Sequence, residues 1–219
     1  MTKVEPKATS HAINIAFEQW GLPKRIKLDN GWPFVHPCHR DTPSMVLLWW
    51  IGLGIEVRQN DPASPQQNGM VEGLQNICYR WVNPAKYDDI GALQEALDEV
   101  AHIQRGIYKM PAKGYTTRMK LYPQLETNPR GYYGAEHFEF ERVKSYLSQQ
   151  VWERAIASRG IVKFMGHRIY VGYRMAHQRV CIIFDPLEEL WLIKSVSGKL
   201  LKTYNHRIVN PDAIIAYAT

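Results

Sequence analysis

Two acidic side chains stand in settings suited to metal-dependent phosphodiester chemistry. Asp29 follows a short run of alternating apolar residues and precedes an Asn-Gly turn signal, so the pattern predicts an acid at the end of a strand. Glu72 lies in a segment that begins like a helix, because Ser64 suits the N-cap and Pro65 the first helical position. Carboxylates at a strand end and on a helix can together hold the divalent cations used in phosphoryl transfer.

Each acid also has an ordinary structural explanation. Asp is common before Asn-Gly because its side chain caps the backbone of a tight turn. A Glu beside an apolar helical stripe is most often a solvated surface residue. The residues around the two acids therefore decide whether Asp29 and Glu72 are functional.

These surroundings resemble the catalytic core of retroviral-type integrases and the related bacterial DDE transposases. Residues 19 to 31, QWGLPKRIKLDNG, are similar to the family's approach to its second catalytic Asp. Residues 49 to 72, WWIGLGIEVRQNDPASPQQNGMVE, are similar to its approach to the catalytic Glu. The resemblance implies that Asp29 and Glu72 are catalytic, that they bind Mg²⁺ or Mn²⁺, and that the reaction is DNA end cleavage and strand transfer.

The chain departs from the family pattern at three points. The stretch between the two acids is longer than is usual in the family, and the extra length falls in residues 32–42. Gly73 replaces a residue that is commonly basic, and glycine inside a helix costs about 1 kcal/mol relative to alanine. The family's first catalytic Asp has no counterpart, since no Asp precedes Asp29. We expect the chain to begin after the strands that carry this Asp, and metal binding to be weak unless another chain supplies it.

The fold class expected from the patterns and the resemblance is α/β, an incomplete RNase H-like core followed by a small all-β SH3-like barrel. Helical spacing predicts helices over residues 2–20, 44–52, 64–82 and 88–107, with a short strand over residues 54–57. Pro and Gly break the periodicity after residue 108, apart from an amphipathic stretch near residues 136–147. Short strands separated by turns follow from residue 151. The expected domains are a core over 1–108, a linker with a helix over 109–150, a DNA-binding barrel over 151–208 and a tail over 209–219.

The basic charge is concentrated in the predicted barrel. Residues 151–219 hold ten Lys and Arg against five Asp and Glu, whereas the rest of the chain is nearly balanced. Such an excess is typical of a module that binds the phosphates of double-stranded DNA, although it also occurs on surfaces that bind nothing. The candidate DNA-binding cations are Arg154, Arg159, Lys163, Arg168, Arg174, Arg179, Lys199 and Lys202, with Arg207 behind them.

Composition indicates a cytoplasmic protein, which by the resemblance would be associated with the bacterial nucleoid. The sequence has three widely spaced cysteines, no leader pattern and no apolar run long enough to span a membrane. His36, Cys38 and His39 cluster, but without a second Cys or His pair at ligand spacing a polar loop is favoured over a zinc site.

Three functional hypotheses follow. In the first, the chain is the C-terminal part of a DDE transposase, and its missing strands lie upstream or come from another polypeptide. In the second, it is a non-catalytic DNA-binding remnant or a regulatory partner of a full-length transposase. In the third, it is an interaction module, because a sheet that lacks strands exposes an edge that invites pairing, which also predicts a homo-oligomer.

Overall fold

The structure is a computed structural model that describes residues 6–29, 31, 34–36, 39–61, 66, 69–205 and 208–218. Its helices are α1 (Pro6–Trp20), α2 (Met45–Gly52), α3 (Gly69–Trp81), α4 (Ile90–His102), α5 (Arg118–Leu121), α6 (Phe140–Ser148) and α7 (Pro211–Ala218). Its strands are β1 (Arg25–Leu28), β2 (Val35–His36), β3 (His39–Pro43), β4 (Glu56–Gln59), β5 (Trp152–Ala155), β6 (Ile161–Phe164), β7 (His167–Tyr170), β8 (Arg179–Asp185), β9 (Leu190–Ser195) and β10 (Leu200–Tyr204). The mixed α/β class is therefore confirmed. None of the helices in the described ranges combines the length and the apolarity needed to cross a bilayer.

The chain divides into two compact units. The first unit combines residues 1–59 with residues 132–219, and the second unit consists of residues 60–131. Helices α1, α2, α6 and α7 and all the strands listed above belong to the first unit, whereas α3, α4 and α5 belong to the second. The sequence-based division at residues 108, 150 and 208 stays a prediction.

Helix α2 lies at the centre of the first unit. Ser44 caps its N-terminus, because the Ser44 Oγ accepts the Leu47 N–H at 3.3 Å. The sequence predicted a helix here with one apolar face. The helix is confirmed, and its burial extends beyond one face, since every residue from Val46 to Gly52 is buried. A helix that is apolar all round is stable only when neighbours enclose it. Here α6, α7 and β4 pack against it.

A buried asparagine connects α2 with the two terminal helices. The Asn14 Nδ2 on α1 donates to the Ala218 carbonyl oxygen on α7 at 2.7 Å. The Asn14 Oδ1 accepts the Trp49 Nε1–H at 3.3 Å. On α2, the Trp49 ring also stacks on Phe138 with 5.3 Å between the ring centroids. Buried polar groups stabilise a fold only when they are hydrogen-bonded, so Asn14 specifies how these three helices meet.

Strands β1 and β4 form a parallel pair in which Arg25 lies opposite Glu56 and Leu28 lies opposite Gln59. A parallel pair needs a long crossover connection, and here the crossover contains β2, β3 and α2. The sequence predicted the second strand over residues 54–57, but the strand begins two residues later, at Glu56. Asp29, which follows Leu28, therefore lies at the carboxyl end of β1.

The C-terminal strands form two antiparallel sheets. One has four strands in the order β10-β9-β8-β5, and the other is the hairpin β6–β7. Alternate residues of β8 are buried, as expected when one face of a sheet covers a core. Phe164 on the hairpin packs against Trp152 and Trp191 on the four-stranded sheet, with ring centroids 5.3 and 5.0 Å apart. Among the described strands, the hydrogen bonds do not close into a barrel.

The second unit is largely helical. Asp89 caps α4 by accepting the Ala92 N–H at 2.9 Å, and a π-helical turn over Ile103–Ile107 follows the helix. The Arg118 guanidinium on α5 donates to the backbone carbonyl and to the side chain of Gln104 at 2.7 and 2.9 Å. The sequence places an apolar stripe on α3 and predicts that the stripe on α4, which begins at Ile90, is buried; for Ile90 this prediction is wrong. The side chains of Val71, Leu74 and Trp81 on α3 and of Ile90 on α4 are exposed, so these apolar stripes are not buried along their full length.

Candidate functional site

Asp29 lies directly after β1, at the strand end that the sequence predicted. Leu28 anchors the strand in the core, and the next side chain, Asp29, is exposed. The Asp29 Oδ1 accepts the Gly31 N–H at 3.0 Å, a side-chain turn that fixes the direction of the carboxylate. A Cβ at Gly31 would lie 3.0 Å from the same oxygen, so glycine suits this close approach. The turn holds the acid at the surface at the carboxyl end of the strand.

A second acid on the same pair of strands is already neutralised. Glu56 on β4 bonds to Arg25 and Arg58, with nitrogen–oxygen distances of 2.7 Å in both ion pairs. Hydrogen bonds from Arg25 and then Arg58 hold the pKa of the Glu56 carboxyl below its ordinary value. Because two guanidinium groups bind this carboxylate, Glu56 is not free to replace the first Asp of the resembled family, which this chain lacks.

Glu72 occupies the first turn of α3, and its side chain is exposed. The N-terminal end of a helix stabilises a negative charge, so an acid suits this position for structural reasons as well. The predicted N-cap Ser64 and the Pro65 beside it lie outside the described residues. Asp29 belongs to the first unit and Glu72 to the second.

Asp29 and Glu72 each end in a carboxylate, the type of group that binds Mg²⁺. Carboxylate oxygens are the ligands that Mg²⁺ prefers, and both side chains are exposed. Within the described ranges, no group of three or more His, Cys, Asp or Glu side chains could hold a metal ion. Cys38 and the side chains of His36 and His39 lie outside the description, so the zinc hypothesis is not tested.

Gly73 follows Glu72 on α3 and can be replaced without a steric clash. A Cβ at this position would meet no atom within 4 Å. We expect Gly73→Ala to raise the free energy of unfolding of α3 and its unit by about 0.5–1 kcal/mol, because alanine loses less backbone entropy in a helix. Urea denaturation followed by circular dichroism at 222 nm measures this change. A decrease in stability would show that the helix is distorted at this point.

Two of the eight candidate DNA-binding cations are engaged in ion pairs. The Arg154 guanidinium on β5 binds both carboxylate oxygens of Asp41 at 2.6 and 2.9 Å and lies 5.6 Å from the centre of the Phe164 ring. The Arg179 guanidinium on β8 binds Glu153 at 2.9 Å. These contacts give the partly buried Arg154 a structural role in the first unit, whereas Arg179 and Glu153 form an exposed surface ion pair.

A double-mutant cycle tests the role of Arg154, whose side chain is only 14% exposed. We expect Arg154→Met and Asp41→Asn each to destabilise the first unit, and the double variant to be about 1 kcal/mol more stable than the sum of the single effects predicts. The pair is bidentate and partly buried, which makes it stronger than an ordinary surface ion pair. Urea denaturation of the four proteins gives the coupling energy. If the effects of the two single variants simply add in the double variant, the Arg154–Asp41 ion pair does not stabilise the first unit.

The other candidate cations lie on the hairpin β6–β7, on β10 and in turns. Lys163 on β6 lies directly opposite Arg168 on β7, and both are exposed. Lys202 on β10 donates from Nζ to the Tyr170 carbonyl oxygen at 2.7 Å. The exposed residues Arg159 and Lys199 lie in loops, Arg174 lies in a short 3-10 helix over Tyr173–Met175, and Arg207 is outside the described residues. The structure thus pairs Lys163 with Arg168 and places Lys202 beside Tyr170, two residues further along β7.

The sequence reasoning did not select two exposed aromatic residues beside these cations. Tyr170 is 54% exposed and Tyr173 is 70% exposed. The alternation of β7 was the available signal, because it places Tyr170 on the same face as Arg168. The acids Asp41 and Glu153 were also missed as arginine partners, since only tertiary contacts reveal them.

A comparison of the sequence with models of known protein families found no match.

Proposed function

We propose that the chain is the C-terminal portion of a DDE transposase or integrase and acts in DNA transposition. The observation that carries this proposal is the pair of motif segments at residues 19–31 and 49–72. Each segment contains its acid in a local setting that fits the motif, because Asp29 follows a strand and Glu72 lies in the first turn of a helix. We infer that double-stranded DNA is the partner, since the basic residues are concentrated after residue 150.

The finer fold assignment belongs to the same proposal. Residues 1–108 would form a partial RNase H-like core, which the parallel pair β1–β4 with its helical crossover supports. Residues 151–208 would form an SH3-like module. Support for this module comes from the two antiparallel sheets, which share one apolar cluster around Trp191. Residues 109–150 would link the two.

By the family resemblance, Asp29 and Glu72 would each provide carboxylate oxygens for the metal. A bound Mg²⁺ or Mn²⁺ supplies charge stabilisation at the phosphate and lowers the pKa of an attacking water or 3′-hydroxyl. The turn between the Asp29 carboxylate and the Gly31 N–H orients the first acid. The N-terminal end of α3 stabilises the charge of the second. A further ligand would come from another chain or from a segment upstream.

A non-catalytic DNA-binding protein, or a regulatory partner of a full-length transposase, is the second candidate. The specific observation in its favour is that the described residues contain no cluster of three metal-ligating side chains. The exposed cations on β6 and β7 would serve this function equally well. The two candidates share DNA binding and differ in metal-dependent chemistry.

Strand joining by the purified chain tests the catalytic proposal. The substrate is duplex DNA with the terminal sequences that flank the gene, incubated with target DNA and Mg²⁺ or Mn²⁺. We expect joined products that Asp29→Asn and Glu72→Gln abolish, while the control variant Glu95→Gln, on the exposed face of α4, retains them. DNA binding without any metal-dependent product would instead favour the non-catalytic candidate.

The gene sequence gives an independent test. Translation upstream of residue 1 should show a strand that ends in an Asp, in the same frame or one frameshift away. An unrelated upstream sequence would count against the catalytic proposal. It would leave the DNA-binding candidate in place.

A further inference from the structure

The hairpin β6–β7 carries an unfavourable pair of charges. Lys163 and Arg168 lie directly opposite each other in its register, and both side chains point to solvent. Like charges in this position destabilise an antiparallel pair. Within the described part of the chain, neither side chain forms an ion pair. A bound anion would remove this repulsion, so the pair favours an anionic ligand.

An exposed tyrosine lies on the same face as these two cations. Tyr170 follows Arg168 by two residues on β7, which places both on the outer face of the hairpin. Tyr170 is 54% exposed, and its hydroxyl accepts the Tyr173 N–H at 3.2 Å. Tyr173 is 70% exposed. The hydrogen bond holds Tyr170 against the turn that carries Tyr173, so two aromatic rings are presented at one end of the hairpin.

A third cation reaches the same tyrosine from another strand. The Lys202 Nζ on β10 donates to the Tyr170 carbonyl oxygen at 2.7 Å and lies 5.9 Å from the centre of the Tyr170 ring. These contacts fix a positive charge beside an exposed aromatic surface. The hairpin face, defined as Lys163, Arg168, Tyr170, Tyr173 and Lys202, thus combines positive charge with exposed rings.

We propose that the hairpin face binds an unpaired segment of DNA. Proteins that bind single strands combine cations for the phosphates with aromatic side chains on which bases stack. A duplex also offers phosphates, but its bases are stacked on one another and cannot cover the rings of Tyr170 and Tyr173. The proposal rests on the proposed function, in that DNA is taken as the partner. It adds that the ligand is the unpaired strand at a cleaved or frayed end.

Fluorescence anisotropy with two labelled probes tests this proposal. The probes are an oligothymidine of about 15 nucleotides, near the upper end of known site sizes, and a duplex of the same length. The full chain is titrated in EDTA at several salt concentrations, so metal-dependent chemistry does not contribute. The test variants are Tyr170→Ser/Tyr173→Ser and Lys163→Gln/Arg168→Gln. The matched controls are Tyr133→Ser, whose ring is 71% exposed, and Arg58→Gln, which pairs with Glu56.

The two test variants should have different effects. The tyrosine variant should lower affinity for the single strand by about tenfold or more and change affinity for the duplex by less than about twofold. The charge variant should weaken both complexes and reduce the magnitude of the single-strand salt slope by about 1.4, which corresponds to two phosphate contacts. The controls should bind both probes like the unmodified protein. Thermal unfolding of each variant, close to that of the unmodified protein, shows that the fold is intact.

Two results would overturn the proposal, and they can be told apart. If both probes bind but the tyrosine variant affects them equally or not at all, the hairpin face does not bind an unpaired strand, while DNA binding stands. If neither probe binds, the DNA partner of the proposed function is wrong, and the proposal for the hairpin face fails with it.

Discussion

Trp191→Ala is expected to lower the free energy of unfolding of the first unit by about 3–5 kcal/mol. The Trp191 side chain on β9 is 1% exposed. Its ring centroid lies 5.0 Å from those of Phe164 and Phe184 and 5.7 Å from that of Trp152. Truncation leaves a cavity between the hairpin β6–β7 and the four-stranded sheet, because Phe164 comes from one and the other two rings from the other. The neighbouring rings cannot fill this cavity unless the strands that carry them also move.

Urea denaturation followed by tryptophan fluorescence measures this effect. The signal reports mainly the first unit, because six of the seven tryptophans lie in residues 1–59 and 132–219. Leu187→Ala is the matched control, since Leu187 is an exposed apolar residue in the turn between β8 and β9. We expect the control to change stability by less than about 0.5 kcal/mol. A loss below about 1 kcal/mol for Trp191→Ala would mean that the aromatic cluster is not a packed core.

Gly160→Ala is expected to destabilise the first unit by on the order of 3 kcal/mol, through two separate causes. The Gly160 backbone has a φ of +73°, a left-handed conformation that costs an alanine about 1–2 kcal/mol. In addition, a Cβ would lie 2.5 Å from the backbone carbonyl of Gly172 and 2.7 Å from the Tyr173 nitrogen. These contacts are with backbone atoms, which cannot rotate away as a side chain would. The backbone at Gly160 and the backbone at Gly172 and Tyr173 must therefore move apart.

Gly166→Ala isolates the conformational part of that effect, so the difference between the two variants gives the steric part. Gly166 also has a positive φ, +79°, but a Cβ there would meet no atom within 4 Å. Both glycines flank β6, so the same unfolding transition reports on both variants. We expect Gly166→Ala to cost only the conformational term, about 1–2 kcal/mol. Equal losses for the two variants would contradict the close approach of Gly160 to Gly172.

The Gly160 contact also positions the hairpin face. The Gly160 carbonyl oxygen accepts the Val171 and Gly172 N–H groups at 2.8 and 3.3 Å. These bonds hold the end of β7 against the turn that precedes β6, and Tyr173 follows directly. The Gly160→Ala variant should therefore weaken binding of the single-stranded probe even at temperatures where the protein remains folded. If this variant binds the single-stranded probe as tightly as the unmodified protein, the turn at Gly160 does not position Tyr173 for binding.

Local sequence patterns predicted the elements around the two acids well. The alternation before Asp29 predicted a strand end, and β1 ends at Leu28. The helical spacing predicted α1, α2, α3 and α4. These elements follow from neighbouring residues, because a turn signal, an N-cap or a helical repeat acts over only a few positions.

The extent of burial could not be predicted in the same way. Helix α2 is buried on all sides, whereas the apolar residues Val71 and Leu74 on α3 are exposed. Periodicity shows which side chains share a face, but not how many neighbours that face meets. The number of neighbours depends on elements far along the chain. Helix α7 packs on α2 across more than 150 residues of sequence, and no local pattern encodes that contact.

The amino-acid sequence alone was enough to select Asp29 and Glu72, the basic C-terminal region and the α/β class, because these depend on residue type and short spacing. Only the tertiary structure shows which cations bind acids and which are exposed to a ligand. Arg154 and Lys163 both lie in the basic C-terminal region, yet one is bound by Asp41 and the other faces Arg168. Ion pairing is decided by atoms that approach within a few ångströms, and residues more than a hundred positions apart can meet only through the fold.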